Sequence, residues 1–328
     1  MTVYDRAEPG RAASWAGAGM LAPYSEATDD DAMLALCREG LAVYPAFVEE
    51  LRERVGVDPH FVRAGALHVA LDASGLIELA ARADAYRKVG AAVRVLDRAE
   101  TLAREALLTG NVVGSLLIED EAQIDNRRLG RALVAACEAL GVHFERVDDI
   151  VIEADARRVR GLRTARGYVS ASVVVNAAGA WAGELAGVPD VARVPVRPIA
   201  GEMVALAIPN GAMRANVWLG HRYLVPRKDG RLLIGATMKE RGYNTRVTAG
   251  GVHALLDAAL AVAPALAGFA VVETWAGLRP GSADSRPYLG RTPLDGYVVA
   301  AGHFRNGILL TPLTARLIAE LVVDGDDA

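Results

Sequence analysis

Apolar residues along the chain fall into two rhythms. From about Asp29 to Val55, Met33, Leu34, Leu36, Cys37, Leu41, Val43, Phe47 and Leu51 recur at roughly helical spacing, which predicts one long helix or two short ones. Further helical stretches run near Leu76 to Gly90, Arg98 to Leu107, Ala249 to Val262 and Ile308 to Val323. Asp125 stands where an N-cap belongs, opening a helix that runs to Leu140 and is closed by Gly141. Strand-like runs lie at Met1 to Arg6, Phe61 to Leu71, Gly114 to Ile118 and Val142 to Phe144, with others between Ile150 and Val175. The last of these, Val173-Val174-Val175, enters an Asn176-Ala177-Ala178-Gly179 turn and reads as a buried parallel strand. After Pro195 the pattern turns antiparallel, with strands at Glu202 to Ala207, Arg222 to Pro226, Leu232 to Ala236 and Phe269 to Leu278. A strand at Tyr297 to Ala300 precedes the final helix. Segments of βαβ type at the start, middle and end, with antiparallel strands between them, predict an α/β fold in which one domain interleaves with another.

Composition narrows the function classes. With 52% apolar and 23% charged residues over 328, the chain can bury a substantial core. Its 40 acidic and 36 basic residues are interspersed, so no extended positive field exists to hold nucleic acid or an anionic membrane. No apolar run approaches the roughly 18 residues of a membrane span, and the start lacks the order of a signal peptide. Cys37 and Cys137 lie far apart inside helical patterns and read as reduced core thiols. A cytoplasmic location is expected, with no metal site, because the histidines show no ligand spacing.

Several segments carry candidate chemistry. Asp5 ends the first strand-like run, where the acid of a dinucleotide-binding unit accepts ribose hydroxyls. The GxGxxG turn that precedes such an acid by roughly 30 residues has no counterpart here, so the polypeptide expressed alone is expected to be unstable or unable to hold such a cofactor. The run from Ser14 to Pro23 is rich in small residues without a clean period, which suits backbone packed closely against something flat. Arg279 and Arg305 each stand at the end of an apolar strand beside Gly or Pro. A guanidinium there is costly to bury unless it meets an anion, either a bound carboxylate or an internal partner such as Glu273 or Asp284.

Taken in order, Ala13-Ser14-Trp15-Ala16-Gly17-Ala18-Gly19-Met20-Leu21-Ala22-Pro23, Ala178-Gly179-Ala180-Trp181, Tyr223-Leu224-Val225-Pro226-Arg227, Gly235-Ala236-Thr237, Gly277-Leu278-Arg279-Pro280 and His303-Phe304-Arg305-Asn306-Gly307-Ile308 resemble the FAD-dependent oxidases of the D-amino acid oxidase superfamily. The resemblance is closest to its glycine oxidase branch, which serves thiamine biosynthesis, and runs from Val3 to Leu321. It implies a Rossmann-like FAD-binding domain over 1–40, 115–195 and 281–328, lacking its first strand and helix, and an antiparallel-sheet substrate domain over 41–114 and 196–280. It also implies that Tyr223, Arg279 and Arg305 bind substrate. Asp5, Ser14, Ala18, Gly19, Met20, Val147, Gly179, Arg305, Asn306, Gly307 and Ile308 would hold FAD. A helix opening near Ile308 would direct its positive end toward the flavin and favour the reduced state. The implied reaction is hydride transfer from glycine, or a similarly small amino acid, to the flavin, giving an imine, with O2 then reduced to H2O2. No protein acid or base is assigned. Thiazole synthase is an expected partner, and a homo-oligomer is expected. The alternatives are a sarcosine or D-amino acid oxidase relative, and a truncated chain unable to bind FAD.

Overall fold

The computed structural model describes residues 1–26, 32–108 and 111–323. Its organising element is an eight-stranded sheet in the order Val271–Gly281, Arg197–Ala207, Arg231–Gly235, Arg222–Pro226, Asn216–Leu219, Ala66–Ala70, Gly114–Ile118, Val93–Asp97. All neighbours are antiparallel except Asn216–Leu219 with Ala66–Ala70. Because side chains alternate between faces along a strand, the register fixes what each face carries. One face presents Val204, Leu206, Leu224, Leu232, Ile234, Val217, Leu67 and Leu117, and Leu255, Ala259 and Val262 of the Ala249–Val262 helix cover it. The other presents Trp275, Met203, Leu233, Tyr223, Val225, Trp218 and Ala66, and the small residues Ala16, Ala18 and Ala22 cover that one.

Smaller sheets stand around this one. Thr2–Asp5 pairs in parallel with His143–Arg146, and Val174–Asn176 pairs in parallel with Tyr297–Ala301, whose other edge takes Tyr288–Arg291. Val151–Ala154, Val159–Thr164 and Gly167–Ser170 form an antiparallel meander. A further core joins the Ala32–Val55, Asn126–Ala139 and Thr311–Val323 helices through Cys37, Leu41, Tyr44, Leu129, Ala132 and Leu313. Among the described residues, no helix is long and apolar enough to cross a membrane, and no group of three or more His, Cys, Asp or Glu converges to hold a metal.

Most predicted elements are present, and the shifts have local causes. The Ala32–Val55 helix is continuous through Pro45; the predicted start near Asp29 lies outside the described residues. Asp125 caps its helix by accepting from the amides of Arg127 and Arg128. The Phe61 to Leu71 run forms a strand only over Ala66–Ala70, because Gly65 at φ +74° turns the chain before it. The Val173 to Val175 run is a parallel strand as predicted but is not buried, since Val175 is 41% exposed and, among the described residues, one strand pairs with it. The last helix starts at Thr311, not near Ile308. Pro312 falls in its first turn, where a missing N–H costs nothing, while residues 307–310 form the turn that leads into it.

Candidate functional site

A row of side chains crosses the sheet on the face opposite the Ala249–Val262 helix. His68 is register partner of Trp218, Trp218 of Tyr223, and Tyr223 of Gly235. The His68 and Trp218 rings stack at 5.4 Å, and Trp218 meets Tyr223 edge-on at 5.3 Å. Gly235 lacks the Cβ that would lie 2.4 Å from both Met203 Sδ and the Tyr223 ring, so the Tyr223 hydroxyl reaches Met203 Sδ at 3.6 Å. One strand further, Arg279 stands beside Gly201, where an added Cβ would lie 2.3 Å from its Nη1. The guanidinium donates to Thr237 O at 3.3 Å, and among the described residues no carboxylate pairs with it. Glu273, a partner the sequence suggested for it, is taken bidentately by Arg127 at 2.8 and 2.9 Å.

The small-residue run lies over this face and resolves into a short helix at Ala13–Ala16, a strand at Met20–Leu21 and a helical turn at Pro23–Glu26. Its close approach is enforced by size. A Cβ on Gly277 would lie 2.3 Å from Ala16 Cβ, and one on Gly19, at φ +64°, would lie 2.0 Å from Ile124 O. The run is pinned through its carbonyls. Ser14 O and Trp15 O accept from Asn126 Nδ2, Ala16 O from Trp275 Nε1 at 2.9 Å, Ala18 O from Arg227 Nη2, and Gly19 O from the Ile124 amide. Arg227, buried, also donates to Gln123 and Asn126. Behind the loop, Arg127 lies 3.7 Å from the Trp15 ring centroid and 4.7 Å from that of Trp275, a cation–π sandwich that adds rigidity.

The His303 to Leu310 turn closes the site from the side. Phe304 N donates to Pro280 O at 2.9 Å, and Gly281 bridges to His303, so the turn is tied to the strand that bears Arg279. Ile308 lies close to Gly17, which joins the turn to the small-residue run. His303 bonds to Thr314 Oγ1 at 3.0 Å, and burial pushes its imidazole down to about 4. Asn306 is buried, and its carbonyl accepts from the Leu310 amide. Arg305 is not free. Its Nη2 donates to Glu26 Oε1 at 2.7 Å and its Nε to Glu26 Oε2, so the second arginine meets an internal anion that the sequence had not suggested.

Ala18 and Met20 pack with Tyr223 on this face, Gly19 lies against Ile124 and Arg227, Ser14 is exposed, and Ile308 approaches the run at Gly17. Asp5 and Val147 lie together at the end of the small parallel sheet, where the Val147 amide donates to Asp5 O at 2.9 Å and the Ala7 amide to Asp5 Oδ1 at 3.0 Å. A shallow, solvent-open depression of about 380 Å³ is lined by Ala7, Glu8, Arg11, Trp15 and Arg146. Gly179, at φ +55°, opens a single 3-10 turn with open space where a Cβ would be.

Glu121, unremarked in the sequence, and Glu202, to which the sequence assigns no catalytic role, are both buried carboxyl groups. Glu121 accepts from the amides of Tyr24 and Ser25 and from Ser25 Oγ, which lies 2.7 Å from His68 Nε2. Burial pushes the Glu121 carboxyl up to about 7 against the lowering effect of these bonds, and burial pushes His68 down to about 3. Glu202, on the opposite face of the sheet from Arg279, accepts from Thr237 Oγ1, Thr248 N and Oγ1, and Lys239 Nζ, all at 2.8 to 2.9 Å. Burial opposes its ionisation, but the bonds from Lys239, Thr248 and Thr237 outweigh burial and hold it at about 2. Since Thr237 O receives Arg279, Glu202 fixes the segment that orients the guanidinium. An isolated Glu within an apolar run was the available signal at 202, whereas Glu121 closes the acidic triplet Glu119-Asp120-Glu121 and looks like a surface charge in the sequence.

The chain is 36% identical to glycine oxidase of Geobacillus kaustophilus over 98% of its length and 86% of that protein's. The crystal structure of that enzyme matches with a TM-score of 0.91, covering 98% of this chain and 87% of the other. It is 35% identical to the bifunctional protein ThiO/ThiG of Synechocystis, covering 96% of this chain but 46% of that one, so it spans about half the length of such relatives. The crystal structure of iminodiacetate oxidase from Chelativorans matches with a TM-score of 0.90 at 27% identity, covering 98% of this chain and 89% of that one. The model of the FAD dependent oxidoreductase family matches residues 1–321, and the chain belongs to that family.

Proposed function

We propose that the chain oxidises glycine, or a similarly small amino acid, to its imine, using FAD and O2 and releasing H2O2. The observation that carries this reading is Arg279, a guanidinium without a carboxylate partner among the described residues, on the sheet face covered by the small-residue run. A planar fork in that place suits one carboxylate bidentately. Tyr223 and Arg279 would anchor that group, and Met203, Trp218 and Trp275 leave little room for a bulky side chain.

The residues fit FAD. Small residues from Ala16 to Gly19 leave a flat main-chain wall pinned from behind, Asp5 and Val147 stand together at one end, and Asn306, Gly307 and Ile308 stand at the other. When bound, FAD supplies the hydride acceptor, which O2 reoxidises. The chain's own contribution is to hold the carboxylate at Arg279, exclude water with the aromatic row and fix the geometry, so rate arises chiefly from positioning. The division into an FAD-binding part at 1–40, 115–195 and 281–328 and a substrate-binding part at 41–114 and 196–280 accords with the large sheet standing apart from the smaller ones. The relatives that join ThiO to ThiG support delivery of the imine to thiazole synthesis. The test is oxidation by the FAD-loaded chain: glycine should release H2O2 far faster than D-phenylalanine, and equal or reversed rates would reject the small-substrate reading.

A further inference from the structure

Two arginines stand on neighbouring, hydrogen-bonded segments, and their side chains have different partners. The turn that carries Arg305 is hydrogen-bonded to the strand that carries Arg279 through Phe304 N and Pro280 O, directly after Arg279 in the chain. Tyr223 lies beside Gly235 and Met203 on the same sheet face as Arg279. Arg305 is neutralised by Glu26 through two parallel N–H to carboxylate bonds, the strongest geometry for such a pair. The two side chains are 16% and 11% exposed, so solvent does little to weaken the pair.

Glu26 is also built into place. It ends the Pro23–Glu26 turn, its amide donates to Ala22 O at 3.2 Å, and the two preceding amides are held by Glu121. Ser25 is clamped between Glu121 and His68. The carboxylate is therefore presented to Arg305 by a buried network, unlike an acid on a mobile surface side chain.

We propose that Glu26 is a specificity-determining residue: by holding Arg305 in a partly buried ion pair, it leaves the pocket one cation for one carboxylate and excludes amines that bear a second. This inference rests on the reading of the site as one for a small amino acid. A second carboxylate placed near Arg305 would meet a pair already balanced, with Glu26 repelling it, and would lose its water without gaining a partner. With the charge of residue 26 removed, Arg305 becomes a second anchor, and the same fold takes a dicarboxylic amine.

The experiment uses the FAD-loaded chain and two ligand pairs. For turnover, glycine is compared with iminodiacetate; for binding without turnover, glycolate is compared with diglycolate by calorimetry. Wild type should bind glycolate at least about tenfold more tightly than diglycolate. E26Q should raise the ratio of kcat/KM for iminodiacetate over glycine by at least about tenfold and invert or abolish the glycolate preference. The double variant E26Q/R305Q should lose that gain, because the second anchor is gone. Equal binding of the two acids by wild type, or an unchanged ratio in a folded E26Q, overturns the proposal. The wild-type comparison needs no variant to fold. Failure of the wild type to oxidise glycine would reject the proposed function instead, and the binding pair would still report on Glu26.

Discussion

Arg279 and Arg305 end two stretches that look alike in sequence, yet the fold assigns them opposite states. Arg279 lies over Gly201, bonded to one main-chain carbonyl and open to an anion. Arg305 lies in a turn, locked to Glu26. The segment around Arg279 is held from behind by Glu202 through Thr237, whereas Arg305 is held from in front by the group that consumes its charge. A buried cation is thus a ligand site only where the neighbouring acid is placed to orient it without contacting it.

The sharpest way to break this comparison is to remove each arginine. R279M should lower kcat/KM for glycine on the order of a thousandfold, about 4 kcal/mol, with the folded state retained by circular dichroism. R305M should cost far less in glycine turnover, because its charge is already balanced; equal losses would erase the distinction between the two.

The second prediction concerns the support behind Arg279. Glu202 is held at about 2, below its ordinary 4.5, so its contribution to stability is full above about pH 4.5 and is lost as pH falls through about 2. E202Q should lower unfolding free energy at pH 7 by up to about 3 kcal/mol in urea titrations and flatten the acid limb. It should also raise KM for glycine, since Thr237 no longer holds Arg279 as firmly. A variant as stable as wild type at pH 7 would show that the donors around Glu202 contribute nothing net.

The smallest effect is expected at the support behind Glu26. The Glu121 carboxyl is raised from 4.5 to about 7, so the protonated form is favoured in the fold, and stability from this group declines as pH rises from about 4.5 through 7. E121Q mimics the protonated group, with its amide donating to Ser25 Oγ, and should gain about 1 kcal/mol at pH 8 while matching wild type near pH 5. Parallel pH–stability curves for the two proteins would sink this assignment.

Much of the fold was legible because it is written in local periodicity. The Ala249–Val262 helix follows from its apolar spacing, the Asn126–Ala139 helix from its Asp125 cap, and the Gly114–Ile118 strand from the apolar Leu116-Leu117-Ile118 at its end. The small-residue run was legible as a close-packed element because only Gly and Ala allow such approach, and Gly19 and Gly277 make that approach. The Ile308 boundary was misplaced because a hydrogen-bonded turn and a helix share the same apolar spacing over one turn.

By itself the sequence determined which residues could bear charge, which backbone could approach closely and which faces of strands and helices had to be buried, since these follow from side-chain size, polarity and period. Only the tertiary structure decided which charges meet. Glu26 and Arg305 are 279 residues apart, Glu121 and Ser25 are 96 apart, and Arg227 reaches Ala18 across 209. Chain periodicity carries no information over such separations. Electrostatic pairing depends on distances of a few ångströms that are set when the sheet, the small-residue run and the closing turn pack together.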